Sequence, residues 1–267
     1  MSRNVQILYV TFARDLDWLR FSLESIRKYG KGFGGITIVV PTVDVDKFLQ
    51  FERYSTKECP ILIKNFLEYP GKGFVHHLAM KCYADVFCPN ATHVLHMDPD
   101  CLFCAPFTPD DYFMDGKPVL VIESYELLNR YFKERAFWKI GVDEALGIDA
   151  KFETMCRHPA VHHIDTYSGV RSRVEKIHVT SFTDYYLKGK NSFPQTRSEF
   201  PVLGAFAIEF MGDKYYFHDC SPEREARLSE VMTNRELKIG HPDNKLVQFW
   251  SYNGAGSALP EIRKILQ

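Results

Sequence analysis

No charge of either sign dominates this chain: thirty-three Lys and Arg face thirty-four Asp and Glu, for a formal net charge of -1. Without a global field, nothing draws the protein onto nucleic acid or an anionic membrane, although a local basic patch is compatible with the balance. Long apolar runs are missing too. The amino terminus, MSRNVQILYVTFARD, turns polar at Arg14 and Asp15 too soon for a signal peptide, and no later stretch approaches membrane-spanning length. A cytoplasmic protein with no membrane span is expected. A disulfide framework is also absent, because the seven cysteines are odd in number and scattered through apolar segments, as reduced core thiols are. Cys101-Leu102-Phe103-Cys104 has redox spacing but neither a second pair for zinc nor a place at the start of an early helix. There is no repeat, low-complexity tract, linker or Walker loop. The glycine run Gly30 to Gly35 follows a helix rather than the first strand, so it does not cradle a dinucleotide pyrophosphate.

What is present suits one soluble α/β core. Hydrophobic residues make up 45% of the 267 and charged residues 25%, which excludes disorder. Val5 to Thr11 reads as a buried strand, and Asp15 stands where it can cap a helix carrying Trp18, Leu19, Ser22, Leu23 and Ile26 at helical spacing. Ile36 to Val40, Ile61 to Phe66 and Thr92 to Met97 are further strands, separated by helices over Asp44 to Phe51 and Gly73 to Phe87. Such alternation implies a mainly parallel sheet whose ligand sites lie beyond the carboxyl ends of its strands. Thr11 to Asp15, Pro41 to Asp44 and Asp98 to Asp100 fall there. Further on, Val119 to Glu123 is strand-like, Leu127 to Leu146 mostly helical and Arg157 to Thr196 a mix of short pieces. Pro201 to Phe210 and Lys214 to Phe217 read as a late strand pair.

The chemistry concentrates at Asp98-Pro99-Asp100. An apolar strand that ends in two carboxylates, with a proline stiffening the turn between them, presents hard oxygen donors to a cleft. Magnesium and manganese take such donors and complete their shells with water and a substrate diphosphate, so no full protein cage is needed.

A fourth strand near residue 100 that runs into Asp-x-Asp, behind alternating β and α units, resembles the GT-A family of nucleotide-sugar glycosyltransferases of bacterial or phage type. The resemblance covers the first 125 residues well and the rest weakly. It implies a single GT-A-like α/β domain over 1–267, with a nucleotide-sugar half (1–125) and an acceptor half with a C-terminal metal and phosphate element (126–267). By that resemblance Asp100 binds Mn2+ or Mg2+ directly and Asp98 assists. Thr11, Phe12, Arg14 and Asp15 hold base and ribose, and Pro41 and Thr42 line the base pocket. His241 is a third metal ligand, Lys245 meets the diphosphate and Trp250 belongs to the same element. Lys81, on the helix carrying His76 and His77, reaches phosphate.

Each assignment has a plainer counterpart: Asp15 as a helix cap, His241 as a surface histidine before a turn proline, Lys81 as a solvated lysine. Glu199 is the candidate acceptor-side carboxylate, a base in an inverting enzyme or an orienting group in a retaining one, with Asp165 and Asp184 behind it and a salt bridge as the bland reading of all three. His93, His96, His162 and His163 read as core histidines rather than zinc ligands, and Phe132, Phe137 and Trp138 as core aromatics.

The expected activity is transfer of a hexose or pentose from a nucleotide-diphosphate sugar, UDP-linked by default, to a hydroxyl acceptor. A glycan or small molecule suits that role better than modified nucleic acid, which the balanced charge does not favour. The competing readings are a haloacid-dehalogenase-like phosphatase, whose motif usually stands on the first strand and continues with Thr or Val rather than Cys101, and a non-catalytic nucleotide-sugar or carbohydrate-binding module.

Overall fold

The structure is a computed structural model and describes residues 3–69, 72–131, 137–155, 159–188, 197–221, 245–249 and 255–267. In chain order, the first part runs β1 (Val5–Val10), α1 (Leu16–Tyr29), β2 (Gly35–Pro41), α2 (Val45–Phe48), β3 (Ile61–Phe66), α3 (Gly73–Lys81), α4 (Ala84–Phe87), β4 (His93–His96) and β5 (Cys101–Phe103). Then come β6 (Phe113–Met114), β7 (Lys117–Ser124), α5 (Tyr125–Tyr131), α6 (Trp138–Leu146), β8 (Phe152–Glu153), β9 (Ala160–His163), α7 (Asp165–His178) and α8 (Phe182–Lys188). The last are α9 (Glu199–Phe210), β10 (Tyr216–Asp219), β11 (Leu246–Gln248) and α10 (Leu259–Leu266). Among the described residues no helix is long and apolar enough to cross a membrane.

The chain divides into two compact units: Met1–Glu68, Val86–Tyr112 and His241–Gln267 form the first, Tyr69–Asp85 and Phe113–Gly240 the second. In the first unit the strands stand in the order β3-β2-β1-β4, and every pairing between them is parallel. β2 is buried along its whole length and β4 likewise, as strands covered on both faces must be. The order reverses between β1 and β4, which makes their carboxyl ends the switch point where open α/β sheets bind ligands.

β5 turns back as an antiparallel partner of β11, with Phe103 opposite Leu246 and Cys101 opposite Gln248. Trp18, Phe21, Leu102, Phe249 and Ile262 make one apolar cluster that ties α1, β5, the residue after β11 and α10 together. Trp18 stacks on Phe249 at 5.5 Å between ring centroids. Cys101 and Cys104 stand three apart along an extended ladder, which sends their side chains to opposite faces and removes the redox reading.

In the second unit β6 and β7 form a hairpin whose two-residue loop, Asp115-Gly116, has positive φ at both positions, the turn that matches strand twist. β7 pairs with β10 in parallel and with β8 in antiparallel fashion. Arg171 grips Asp85 through both guanidinium nitrogens at 2.6 and 2.7 Å and also donates to the Cys82 carbonyl, which fastens the 69–85 segment to α7.

Several expectations need correction. Pro201 to Phe210 is not a strand but the body of α9, whose first nine residues are all buried. A run apolar on every side has no periodicity to betray a helix; its length favours one, and Pro201 falls in the first turn, where a missing N–H costs nothing. The second member of the expected pair, Lys214 to Phe217, begins as a 3-10 turn and becomes a strand only at Tyr216. The Gly73 to Phe87 helix breaks at Cys82 and Tyr83 into α3 and α4. Arg157 to Thr196 holds the fourteen-residue α7 rather than only short pieces.

Two measurements test this packing. A Cβ on Gly204 would overlap Thr154, whose hydroxyl donates to the Phe200 carbonyl at 3.1 Å. Gly204→Ala is therefore expected to destabilise the fold by about 1–3 kcal/mol in urea titrations. His162 is fully buried, and burial pushes its imidazole down to about 3 from 6.5. The unfolded chain takes up a proton below 6.5 that the native state refuses, so stability present at neutral pH is lost as pH falls from 6.5 towards 3. His162 should account for a loss of about 2 kcal/mol between pH 7 and pH 5. Denaturation midpoints of His162→Asn should fall less steeply over that interval.

Candidate functional site

Four hydrogen bonds fix the backbone around Asp98-Pro99-Asp100. The Met97 N–H donates to the Leu8 carbonyl at 3.0 Å on the way in, and the Cys101 N–H closes a turn onto the Asp98 carbonyl at 3.0 Å, with Pro99 preset for the first corner. On the way out the Phe249 N–H donates to the Asp100 carbonyl at 2.8 Å, and the Ser22 hydroxyl donates to the Cys101 carbonyl at 2.6 Å. Asp98 is half-buried and Asp100 is 7% exposed. The two carboxylates thus hang from a rigid corner beyond β4.

The loop after β1 stands beside it. Thr11 is buried, takes its amide to the Val39 carbonyl and gives its hydroxyl to Asp15 at 3.4 Å. Burial pushes the Asp15 carboxyl above the usual range, against the pull of Arg14 and Thr11, and the charge of Asp98 pushes it in the same direction as burial. Asp15 and Asp98 therefore feel each other across the switch point. The cap reading of Asp15 is corrected: it precedes α1, but its side chain makes no cap hydrogen bond. Arg14 is exposed, with its guanidinium 5.5 Å from the Phe12 ring centroid and 3.8 Å from the Asp15 carboxylate. Pro41, the last residue of β2, is buried, whereas Thr42 is exposed and donates to the Phe66 carbonyl at 3.0 Å, tying the ends of β2 and β3.

Of the C-terminal candidates, His241 and Trp250 lie outside the described residues. Lys245 is described: its ammonium meets Asp111 at 2.9 Å and its carbonyl accepts the Cys104 N–H.

Lys81 and Glu199, chosen separately from the sequence, form an ion pair at 2.8 Å in the second unit, with side chains 5% and 2% exposed. The solvated reading of Lys81 is wrong; its ammonium also sits 4.7 Å from the Phe200 ring centroid. The other Glu199 oxygen accepts from Ser198 at 3.2 Å, and the carboxylate occupies the favourable first turn of α9. Asp165 pairs with Lys214 at 2.6 Å and Asp184 with Lys188 at 3.1 Å, and each carboxyl is held below its usual range by that lysine. His76 is buried, edge-on to Tyr69 at 5.2 Å, and burial lowers its pKa. His93 and His96 are both buried in β4. Phe137 and Trp138 are half-buried, and Phe132 lies outside the described residues.

Sequence reasoning missed Asp44, whose carboxylate accepts the Ala13 N–H at 3.3 Å and joins the loops after β1 and β2. It also passed over Ser22 and Ser25 as members of an apolar helix face. A buried hydroxyl there must have a partner, and that was the available signal.

Among the described residues no group of three or more His, Cys, Asp and Glu stands together as a metal cage. The hard oxygens of Asp98 and Asp100 still fit magnesium or manganese, which complete their shells with water and substrate phosphate.

No protein-family model matches the chain, and no curated protein matches it. Solved structures do. Core-mannan synthase A from Aspergillus fumigatus, in its Mn/GDP form, superposes with a TM-score of 0.51 at 11% identity, over 81% of this chain and 73% of that one. Mouse xyloside xylosyltransferase 1 gives 0.46 at 12% identity over 93% and 98%, and GlyE of Streptococcus pneumoniae TIGR4 gives 0.45 at 9% over 82% and 46%. The likeness to the mannan synthase shows the fold and nothing finer; the other two carry no argument. The chain has a GT-A-like α/β fold, with a mainly parallel central sheet flanked by helices.

The buried pair gives a sharp test. Lys81→Met or Glu199→Leu alone leaves an uncompensated charge in the core and is expected to cost about 3–5 kcal/mol. The double variant should recover most of that loss in denaturant titrations. Non-recovery would show that the two side chains do not act as a pair.

Proposed function

We propose that the chain is a metal-dependent glycosyltransferase that moves a hexose or pentose from a nucleotide-diphosphate sugar, UDP-linked by default, to a hydroxyl acceptor. The observation that carries this reading is the pinned Asp98-Pro99-Asp100 corner at the switch point of a GT-A-like sheet, beside the Thr11 to Asp15 loop. That a fold neighbour was solved with manganese and GDP supports it.

In this reading Asp100 holds Mn2+ or Mg2+ and Asp98 orients the donor or a water on the ion. A divalent ion there supplies positive charge to the diphosphate as the sugar–oxygen bond breaks. Arg14 and Phe12 offer a cationic and an aromatic surface to the base, and Asp15 accepts from base or ribose while Asp44 steadies its loop through Ala13. Pro41 and Thr42 border the same pocket. His241 and Trp250 complete the donor site from the C-terminal segment, and Lys245 joins them. Glu199 is the acceptor-side carboxylate, a base in an inverting enzyme or an orienting group in a retaining one, and Lys81, paired with it at 2.8 Å, is the candidate phosphate contact. The acceptor is a glycan or small hydroxyl compound.

The test is a thermal-shift screen of nucleoside diphosphates and their sugars with and without manganese. Wild type is expected to be stabilised by about 2.7 kcal/mol at ligand roughly a hundredfold above its Kd, and only with metal present. Asp100→Ala should abolish that metal-dependent shift while retaining the fold by circular dichroism. Unchanged binding or turnover in Asp100→Ala would sink the proposal, and binding without hydrolysis or transfer to any acceptor would favour a binding module.

A further inference from the structure

We propose that Ser22 is a positioning residue for the Asp98-Pro99-Asp100 corner: its buried hydroxyl holds the carbonyl of Cys101, the residue that follows Asp100, and so limits how the corner and the Asp100 carboxylate can turn. The role rests on reading that corner as the metal and donor site.

Ser22 lies on the buried face of α1 among Trp18, Leu19, Leu23 and Ile26, and no part of it is exposed. A hydroxyl in such surroundings is costly unless it is bonded. Its oxygen is 2.6 Å from the Cys101 carbonyl and 2.7 Å from the Tyr9 hydroxyl. Chemistry fixes the direction of both bonds. A carbonyl only accepts, so Ser22 donates to Cys101; its single proton is then used, and Tyr9 donates to Ser22. Tyr9 and Cys101 are themselves fully buried, so neither group has water to fall back on.

The need for such a pin follows from β5, which is three residues long and too short to hold its own direction. One edge is paired with β11. The other edge faces α1, which offers two hydroxyls one helical turn apart: Ser22 to the Cys101 carbonyl and Ser25 to the Phe103 N–H at 3.0 Å. Ser25 also donates to the Ser22 carbonyl at 2.7 Å. The Asp100–Cys101 peptide is held by the Phe249 N–H and the Asp98 carbonyl, and Ser22 holds the next one through the Cys101 carbonyl. Ser25 holds the peptide after that, through the Phe103 N–H, one step further from the carboxylate.

The directionality separates this role from general support of the core. Tyr9→Phe removes a donor to Ser22 but leaves the Ser22 bond to Cys101 in place. Ser22→Ala removes that bond and strands both neighbours. Ser25→Ala loosens β5 beyond the corner.

The experiment measures manganese alone, by electron paramagnetic resonance titration of the full chain, beside thermal midpoints. Ser22→Ala is expected to weaken manganese by about tenfold or more. Tyr9→Phe and Ser25→Ala should stay within about twofold of wild type, although all three lower the midpoint. Ser22→Cys, with a weaker donor, should fall between, and carries the test if Ser22→Ala does not fold. Wild-type affinity in Ser22→Ala, or an equal loss in all three variants, overturns the positioning role and leaves the donor site standing. A wild type that takes up no manganese overturns the donor-site reading and the role of Ser22 together, and is seen before any variant is compared.

Discussion

Between Met97 and Cys101 the backbone leaves a parallel sheet and enters an antiparallel pair within four peptide units, in a place where most of its groups are out of reach of water. Each of those groups must find a partner. Leu8, Asp98 itself, Phe249 and Ser22 provide them. The first unit is largely organised around that requirement: β1 meets the entry, α1 and the residue after β11 meet the exit, and the Trp18 to Ile262 cluster holds those last two against β5. Two carboxylates gain fixed positions as a result, at a strand end that would otherwise be one loop among several.

Charge is handled differently in the two units. At the switch point, burial first and the charge of Asp98 to a smaller degree raise the cost of ionising Asp15, while Arg14 and Thr11 oppose them. In the second unit Lys81 and Glu199 neutralise each other in the core. A buried pair of that kind gives little net stability, but neither member is easily lost, and it fixes α3 against the start of α9.

Much of the first unit was legible in the sequence. β1, β2, β3 and β4 fall where apolar runs bounded by Gly, Pro and Asp put them, and the ends of three of them carry the loops expected to bind a ligand. α9 was not legible, because an all-round apolar segment has no period by which a helix differs from a strand. The Asp115-Gly116 hairpin was legible and overlooked. Lys81 and Glu199 were each singled out by residue type and neighbourhood; that they belong to one ion pair was hidden, since 118 residues separate them.

The sequence by itself determined the alternating β and α order, the strand that ends in Asp98-Pro99-Asp100 and the near balance of charge. These follow from local spacing and composition. Only the tertiary structure decided that Ser22 holds the Cys101 carbonyl, that Asp15 and Asp98 share a field, that Lys245 is bound to Asp111 and that Glu199 is paired with Lys81. The reason is that a polar side chain's partner is set by three-dimensional distance and burial, and neither is encoded within the few residues on either side of it.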